Sequence, residues 1–271
     1  MTGFDTHVHS DASDGQCSPA RLVEKARDLG LLGIAITDHD TMAGIEEAQK
    51  RAGELDYPFI AGVELSAQHG EHEVHILGYW LDHRQLDGHP RMIEMRESRL
   101  TRCQEIVDRL NRLGFKLDVT DVIDAANGKA QSLGRPHVAK AMVKKGYADS
   151  MKEVFAKWLS CGAPAYVPRM KLDPLEAVEI IRSAGGVAVL AHPGVGGGDY
   201  LIPCLIRAGL GGIEVYHREH NRMAERKYLQ IARAHGLAAL GGSDFHAPGF
   251  RELGCRVTTL GQLALLAQHK E

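Results

Sequence analysis

The chain has 271 residues, of which 44% are hydrophobic and 25% are charged, and its formal net charge is −3. This composition is typical of a globular protein with a sizeable apolar core, and the small net charge neither favours nor excludes a polyanionic partner. The five cysteines are scattered and form no CxxC pair, so a disulfide framework and a thiolate zinc site are both disfavoured. Histidine is unusually frequent, with 15 residues in the chain.

The amino-terminal residues lack a charged stretch followed by an apolar one, which a secretory signal would have. No apolar run approaches the roughly 20 residues that a membrane helix needs. We therefore expect a cytoplasmic protein with no membrane contact.

Short apolar strands alternate with helices along most of the chain. Residues 3–9 are predicted to form a strand, in which His7 and His9 point the same way because side chains alternate with period two. Further strands are predicted at 33–38, 59–64, 73–79, 187–191, 212–216 and 237–242. Helices are predicted at 18–30, 41–52, 174–185, 199–208 and 221–235, the first capped by Ser18. This alternation predicts a largely parallel sheet, closed or incompletely closed as a (β/α) barrel.

Residues 98–166 interrupt the alternation. Helical patterns occur at 99–114, 135–146 and 150–160, and no strand is evident between them. We predict a small all-helical insertion that divides the barrel into residues 1–97 and 167–271. Its charge also differs, because residues 99–169 hold 13 Lys+Arg and 7 Asp+Glu, whereas the remainder holds 19 and 28. The insertion is therefore basic (+6) and the barrel acidic (−9).

Histidines and carboxylates follow most of the predicted strands. In parallel α/β sheets the functional groups gather at the carboxyl ends of the strands. The residues at or near these ends are His7, His9, Asp14, Asp38, His39, Asp40, Glu64, His75, His192, Glu214, His217, Asp244 and His246. Each alone has an ordinary explanation: Asp40 could cap a helix, and Asp38 could orient His39. Gathered at one rim of one barrel, they predict a metal site.

The motifs around these residues resemble those of the PHP-domain phosphoesterases, named for polymerase and histidinol phosphatase. They are HVHS and DASDG within residues 7–15, TDHD at 37–40, GVE at 62–64, His75, AHP at 191–193 and GSDFH at 242–246. The resemblance implies a distorted (β/α)7 barrel that binds up to three divalent metal ions. It implies that His7, His9, Glu64 and Asp244 hold one ion, that Glu64 bridges to a second held by His75 and His192, and that Asp14, His39 and His246 hold the third.

The chemistry of this set supports the resemblance. Imidazole and carboxylate without thiolate favour Mn²⁺, with Zn²⁺ or Fe²⁺ as alternatives, over Mg²⁺ or Ca²⁺. Three divalent ions would bring +6 and the carboxylates of Asp14, Glu64 and Asp244 would return −3, so the site would attract a phosphate ester. We expect a metal-bridging hydroxide to attack phosphorus, and we assign no side-chain nucleophile.

The insertion contains the sequence GRPH at 134–137. Pro136 at a helix start would leave backbone N–H groups facing outward, and Arg135 and His137 beside it could bind a phosphate. A capped surface helix is the ordinary explanation of such a segment. Helical insertions with GRPH nevertheless recur in a PHP group that resembles nucleoside 3′,5′-bisphosphate 3′-phosphatases and 5′–3′ exoribonucleases. Weaker substrate-binding candidates are Arg169, His217 and Asn127.

We therefore predict a metal-dependent phosphomonoesterase that removes the 3′-phosphate of a small nucleotide carrying two phosphates, such as adenosine 3′,5′-bisphosphate. The alternatives are a 5′–3′ exonuclease on short 5′-phosphorylated RNA or DNA, and a histidinol phosphate phosphatase. A non-catalytic metal-binding module is the alternative of another class, although such modules often lose ligands and this chain retains the whole set.

Overall fold

The computed structural model describes residues 3–126, 133–249 and 252–270. It divides into two compact units, one formed by residues 1–89 with 171–271 and the other by residues 90–170. The second unit begins with a helix at Pro90, whereas the sequence pattern predicts an insertion from residue 98.

The first unit is built on one seven-stranded sheet. Its strands are β1 (Phe4–Asp5), β2 (Gly33–Ile36), β3 (Phe59–His69), β4 (His72–Tyr79), β5 (Val187–Leu190), β6 (Gly212–Tyr216) and β7 (Ala238–Gly241). They lie in the sheet in chain order. Isolated bridges from Phe4 to Thr258 and from Val8 to Phe245 bring the two edges together, so the sheet is a nearly closed barrel. The predicted α/β barrel is thereby confirmed.

The fourth strand departs from the predicted parallel pattern. β4 pairs antiparallel with both β3 and β5, and every other pair of neighbouring strands is parallel. β3 continues past Glu64 to His69, and its distal half pairs with β4 so that Ser66 lies opposite His75. Because β4 runs in reverse, a residue in its first half reaches the rim that the other strands reach at their carboxyl ends.

The first strand is shorter than expected. Only Phe4–Asp5 satisfies the strand pattern, although Val8 forms a parallel bridge to Phe245. His7 and His9 are both fully buried, on either side of Val8. The chain is therefore held extended here by long-range contacts rather than by one continuous ladder.

The helices of the first unit surround this sheet. They are α1 (Pro19–Asp28), α2 (Ile45–Glu54) and α3 (His83–Gly88), and later α8 (Pro174–Ser183), α9 (Pro193–Gly196), α10 (Ile202–Arg207), α11 (Arg222–Ala234) and α12 (Leu260–Ala267). A 3-10 turn, Asp199–Leu201, precedes α10. Ser18 caps α1 by accepting from Arg21 N, as the sequence predicts. Buried apolar side chains of the strands pack together with Leu263 and Leu266 of α12.

The second unit is helical in its described part. The 23-residue α4 (Pro90–Arg112) is followed by α5 (Val119–Ala125), α6 (Arg135–Lys144) and α7 (Met151–Val154), and by a π-helical turn at Phe155–Leu159. These elements share an apolar core of their own, in which Phe115 lies edge-on to Tyr147 and Trp158. Within residues 3–126, 133–249 and 252–270, no helix has both the length and the apolar character needed to span a bilayer.

Candidate metal centre

Glu64 is the centre of a cluster of imidazoles in the first unit. Its carboxylate is fully buried. Oε2 lies 3.4 Å from His7 Nε2, 3.3 Å from His9 Nε2 and 3.1 Å from His39 Nδ1. Oε1 lies 2.9 Å from His75 Nδ1 and 3.1 Å from His192 Nε2. Ligand candidates from distant parts of the sequence thus converge on one carboxylate.

A second group forms around Asp14. Its Oδ1 lies 3.8 Å from His9 Nδ1 and 3.4 Å from His246 Nε2, and its Oδ2 lies 3.9 Å from His39 Nε2. The His9 and His246 rings stack with centroids 4.1 Å apart. His9 therefore offers one nitrogen to this group and the other to the group around Glu64.

Asp244 joins the two groups. Its Oδ1 lies 3.4 Å from His7 Nε2, 3.2 Å from His9 Nε2 and 3.6 Å from His246 Nδ1. Its Oδ2 lies 3.5 Å from Nε2 of His217, a buried residue outside the predicted ligand set. The structure thus brings every predicted ligand into one cluster.

The donor geometry fits divalent metal ions. Ligand atoms about 2.1 Å from a shared ion are roughly 3.0–3.4 Å apart from one another, and most of the separations above lie near that range. Three sets of donor atoms lie mutually within 4.8 Å: His9, Asp14, His39 and His246; His7, His9 and Glu64; and His39, Glu64 and His75. Among the described residues, the buried atoms His9 Nδ1, His39 Nδ1 and Glu64 Oε2 make no hydrogen bond. Buried polar atoms are normally satisfied, so these atoms fit a role as metal ligands.

The electrostatics of the cluster keep the carboxylate of Glu64 charged. Burial acts to raise the pKa of Glu64, but the surrounding His75, His7 and His39 outweigh it and hold that pKa well below its usual value. Burial acts to lower the pKa of His7, but the carboxylates of Glu214 and Glu64 raise it to about 10. In His39 burial prevails and lowers the pKa to about 3, which favours the neutral, metal-binding form.

Two acidic residues in the TDHD motif have roles that differ from those expected. Asp38 accepts hydrogen bonds from Ser10 N, Ser10 Oγ and Ser13 Oγ, so it holds the loop that carries Asp14 rather than the ring of His39. Asp40 caps no helix, because α2 begins after Gly44. Its Oδ1 instead accepts the N–H of Ser66 in β3.

Two buried residues outside the predicted set support the histidines. Glu214 contacts Nδ1 of His7 and accepts the backbone N–H of His192. His220 accepts the Gly194 N–H at Nε2, and its Nδ1 lies 2.9 Å from the Val215 carbonyl. Glu214 and His220 thus each accept a backbone N–H from the turn after β5, although they lie more than 20 residues later in the chain. Glu214 is recognisable by its place in a strand, whereas no local pattern marks His220.

The backbone approaches the cluster closely and in unusual conformations. His192 and Asp244 have φ values of +23° and +52°, in the region that favours glycine. A Cβ on Gly242 would lie 2.3 Å from Cβ of His7, so only glycine fits there. The positions of the His192 and Asp244 side chains in the cluster therefore come at a cost in backbone conformation.

Among the described substrate-binding candidates, Arg135, His137 and Arg169 lie in the second unit and His217 lies in the first. Arg135 donates from one guanidinium nitrogen to the Leu159 carbonyl at 3.0 Å, and its guanidinium carbon lies 5.8 Å and 5.3 Å from the ring centroids of Phe155 and Tyr166. His137 accepts the Gly134 N–H at Nδ1, so a neutral ring carries its proton on Nε2.

The expected outward-facing backbone donors are not all present at the start of α6. The His137 N–H donates to the Gly134 carbonyl, so side chains rather than this N–H are the phosphate candidates. Burial, followed by the charges of Arg135 and Arg169, lowers the pKa of Arg102 to about 10. Arg169 thus belongs to a group of neighbouring guanidiniums. Asn127 lies outside the described residues.

Comparison with known proteins places this cluster in a family. The family model described as PHP domain matches residues 5–187. The chain is 35% identical over 260 residues to a 3′,5′-nucleoside bisphosphate phosphatase from Chromobacterium violaceum, with 92% of this chain and 89% of the relative covered. It is also 35% identical over 263 residues to the 5′-3′ exoribonuclease Rnm of Escherichia coli K12, with 90% and 85% covered.

A solved structure agrees with these relatives. A protein from Bifidobacterium adolescentis, which its description assigns provisionally to the metal-dependent phosphoesterases, superposes with a TM-score of 0.88 at 33% identity. The superposition covers 100% of this chain and 97% of that one. Matched by the family model over more than half of its length, and carrying the converging imidazoles and carboxylates described above, this chain belongs to the PHP domain family of metal-dependent phosphoesterases.

Proposed function

We propose that this protein is a phosphomonoesterase that removes the 3′-phosphate from nucleoside 3′,5′-bisphosphates. The 5′-phosphate is bound by Arg135 and His137 of the helical unit. The observation that carries the proposal is the presence, in one chain, of a His–carboxylate cluster suited to divalent metals and of Arg135, whose guanidinium contacts the Leu159 carbonyl and the rings of Phe155 and Tyr166.

The metal ligands of this proposal are His7, His9, Asp14, His39, Glu64, His75, His192, Asp244 and His246. These residues would hold divalent ions, with Mn²⁺ as the favoured metal, which would supply a nucleophile derived from water at neutral pH and would neutralise charge that develops on the phosphoryl oxygens. Glu64 and Asp244 hold imidazoles of both groups at fixed positions, and their burial excludes bulk water. No side chain acts as the nucleophile.

The second phosphate is bound through arginine chemistry. A guanidinium has five N–H donors in a planar fork that matches two phosphate oxygens. Arg135 uses one nitrogen on the Leu159 carbonyl, and packing against Phe155 and Tyr166 limits the orientations of its fork. The charges of Arg135 and Arg169 act on Arg102, and a bound dianion relieves that repulsion. His137 contributes the N–H donor on Nε2.

The relatives support this substrate class without separating two reactions. One relative at 35% identity is a nucleoside bisphosphate phosphatase, and another at 35% is a 5′-3′ exoribonuclease. Both names fit a ligand with a terminal phosphate on a nucleotide. An exonuclease acting on short 5′-phosphorylated RNA is therefore the second candidate, in which the guanidinium group binds the 5′ end.

Phosphate release from adenosine 3′,5′-bisphosphate in the presence of Mn²⁺ tests the proposal. AMP and a short 5′-phosphorylated RNA are run in parallel, and each reaction is repeated after chelation. We expect release from the bisphosphate with formation of 5′-AMP, and little release from AMP itself. Stepwise appearance of mononucleotides from the RNA with weak phosphate release would identify an exonuclease instead. Equal rates with and without metal would exclude both reactions at this cluster.

A further inference from the structure

Glu214 contacts two predicted ligands without belonging to the ligand set. It lies in β6, and 1% of its surface is exposed. Its Oε1 lies 3.0 Å from His7 Nδ1, and its Oε2 accepts the backbone N–H of His192 at 2.8 Å. We propose that Glu214 is a positioning residue that fixes the tautomer of His7 and the backbone of His192, and that it thereby controls metal binding. This inference rests on metal ligation by His7 and His192 and not on the proposed substrate.

The contact with His7 determines which ring nitrogen faces the cluster. An ionised carboxylate only accepts hydrogen bonds, so His7 Nδ1 must carry the proton. The lone pair of the neutral ring is then on Nε2. That atom lies 3.1 Å from His9 Nε2 and 3.4 Å from both Glu64 Oε2 and Asp244 Oδ1. Glu214 therefore holds His7 in the tautomer that can bind a metal.

The contact with His192 supports an unfavourable backbone conformation. His192 has a φ of +23°, which L-residues rarely adopt. Glu214 accepts its N–H, and His220 accepts the N–H of Gly194 two residues later. These bonds hold the turn in which His192 Nε2 lies 3.1 Å from Glu64 Oε1. One carboxylate thus orients two predicted ligands, His7 and His192, that lie far apart in the sequence.

Glutamate is required here because two donors face two acceptor oxygens. A glutamine at this position has one oxygen and one NH₂ group, so it can accept from His7 or from His192 but not from both. If the NH₂ faces His7, Nδ1 must become the acceptor and the proton moves to Nε2, which removes the metal-binding lone pair. If the NH₂ faces His192, it opposes the backbone N–H. Either arrangement disturbs one ligand.

Titration of the metal-free protein with Mn²⁺ alone tests this role. Glu214→Gln is compared with the wild type and with Glu225→Gln, a matched change on α11, where Glu225 pairs with Arg256 at 3.1 Å. We expect the Mn²⁺ affinity of Glu214→Gln to fall about 10- to 100-fold, as for other groups that orient metal ligands, and that of Glu225→Gln to stay at the wild-type value. Circular dichroism establishes that each variant is folded. A folded Glu214→Gln that binds Mn²⁺ as tightly as the wild type would overturn the proposal.

A second measurement needs no variant. In the wild-type protein loaded with diamagnetic Zn²⁺ and labelled with ¹⁵N in histidine, long-range ¹H–¹⁵N correlation identifies the protonated nitrogen of each ring. We expect the His7 proton on Nδ1. A proton on Nε2 would refute the assignment even if Glu214→Gln failed to fold. Because both measurements use metal alone, failure of the bisphosphate assay would leave their outcome unchanged.

Discussion

Ser10 donates two hydrogen bonds to the carboxylate of Asp38, from its backbone N–H to Oδ1 at 2.7 Å and from its hydroxyl to Oδ2 at 2.5 Å. Ser13 adds a third from its hydroxyl to Oδ1 at 2.6 Å. Asp38 follows β2, and the two serines lie in the loop that carries Asp14. The buried carboxylate of Asp38 therefore fixes the loop that places Asp14 beside His9, His39 and His246.

Replacing this anchor is expected to loosen the group around Asp14. In Asp38→Asn the negative charge is lost and one acceptor oxygen becomes an NH₂ donor, so every serine bond loses its charge and at least one is lost or reversed in direction. Hydrogen bonds to charged groups contribute about 1.5–3 kcal/mol each, and we expect the free energy of unfolding to fall by about that amount. Elemental analysis after dialysis against Mn²⁺ should show fewer bound ions per chain than in the wild type. The exposed Asp28→Asn serves as the control, and unchanged metal content in a folded Asp38→Asn would contradict this role.

Glu64 is expected to be the most sensitive position of the cluster. In Glu64→Gln the buried oxygen pair that faces His7, His9, His39, His75 and His192 becomes one oxygen and one NH₂ group, and the negative charge is lost. We expect Mn²⁺ affinity and metal-dependent hydrolysis to fall by more than about 100-fold, because the loss of a group that only orients a metal ligand already lowers metal affinity by up to about 100-fold. Calorimetric titration and phosphate release measure the two effects. The exposed Glu179→Gln should match the wild type; a Glu64→Gln protein with wild-type affinity would remove Glu64 from the ligand set.

Arg135 is expected to control selectivity rather than turnover. A hydrogen bond to a charged group is worth about 1.5–3 kcal/mol, so kcat/KM for adenosine 3′,5′-bisphosphate should fall roughly 10- to 150-fold in Arg135→Ala, chiefly through KM. Hydrolysis of a nucleoside 3′-monophosphate, which lacks the second phosphate, should change little. Lys140→Ala, an exposed change on the same helix, is the control. If Arg135→Ala left both substrates unaffected, or slowed both equally, the anchoring role would be wrong.

The thiol of Cys103 offers a pH-dependent test of the helical core. Burial raises the pKa of Cys103 to about 11. The thiolate is the reactive form, so a raised pKa means that little of it exists at pH 8 and that its fraction increases as the pH rises towards 11. We expect iodoacetamide at pH 8 to label the exposed Cys161 and to spare Cys103. Mass spectrometry of the peptides, with a denatured sample as the reference, checks this. Equal labelling of the two cysteines in the native protein would contradict the packing of α4.

The location of the cluster could be predicted from the sequence because the end of each strand is a local property of the sequence. Apolar runs such as GIAITD and GIEVY end at histidines or carboxylates, and parallel strands bring those ends to one rim. His75 follows a different rule. It lies in the first half of β4, which reaches the rim because that strand is antiparallel, and an apolar run does not reveal its direction.

The supporting contacts could not be predicted, since they depend on packing between distant segments. Asp38 could orient His39 or bind metal on sequence grounds, but it binds the serines of another loop. His220 bonds with Gly194 through a contact that has no local pattern. The sequence pattern also misses the early start of α4 at Pro90, because Met92 and Met95 are the only buried apolar residues of segment 90–98 and two positions are too few to show a helical period.

The left-handed backbone of His192 and Asp244 has a consequence for how this protein can evolve. Each such residue costs about 1–3 kcal/mol relative to an ordinary conformation, and glycine would remove most of that cost. A glycine would also remove the imidazole or carboxylate. With His192 and Asp244 as the proposed metal ligands, selection for thermal stability and selection for metal binding would oppose each other at these two positions. A related protein that no longer needed the proposed metal ions could carry glycine at both positions, and its barrel would then be more stable.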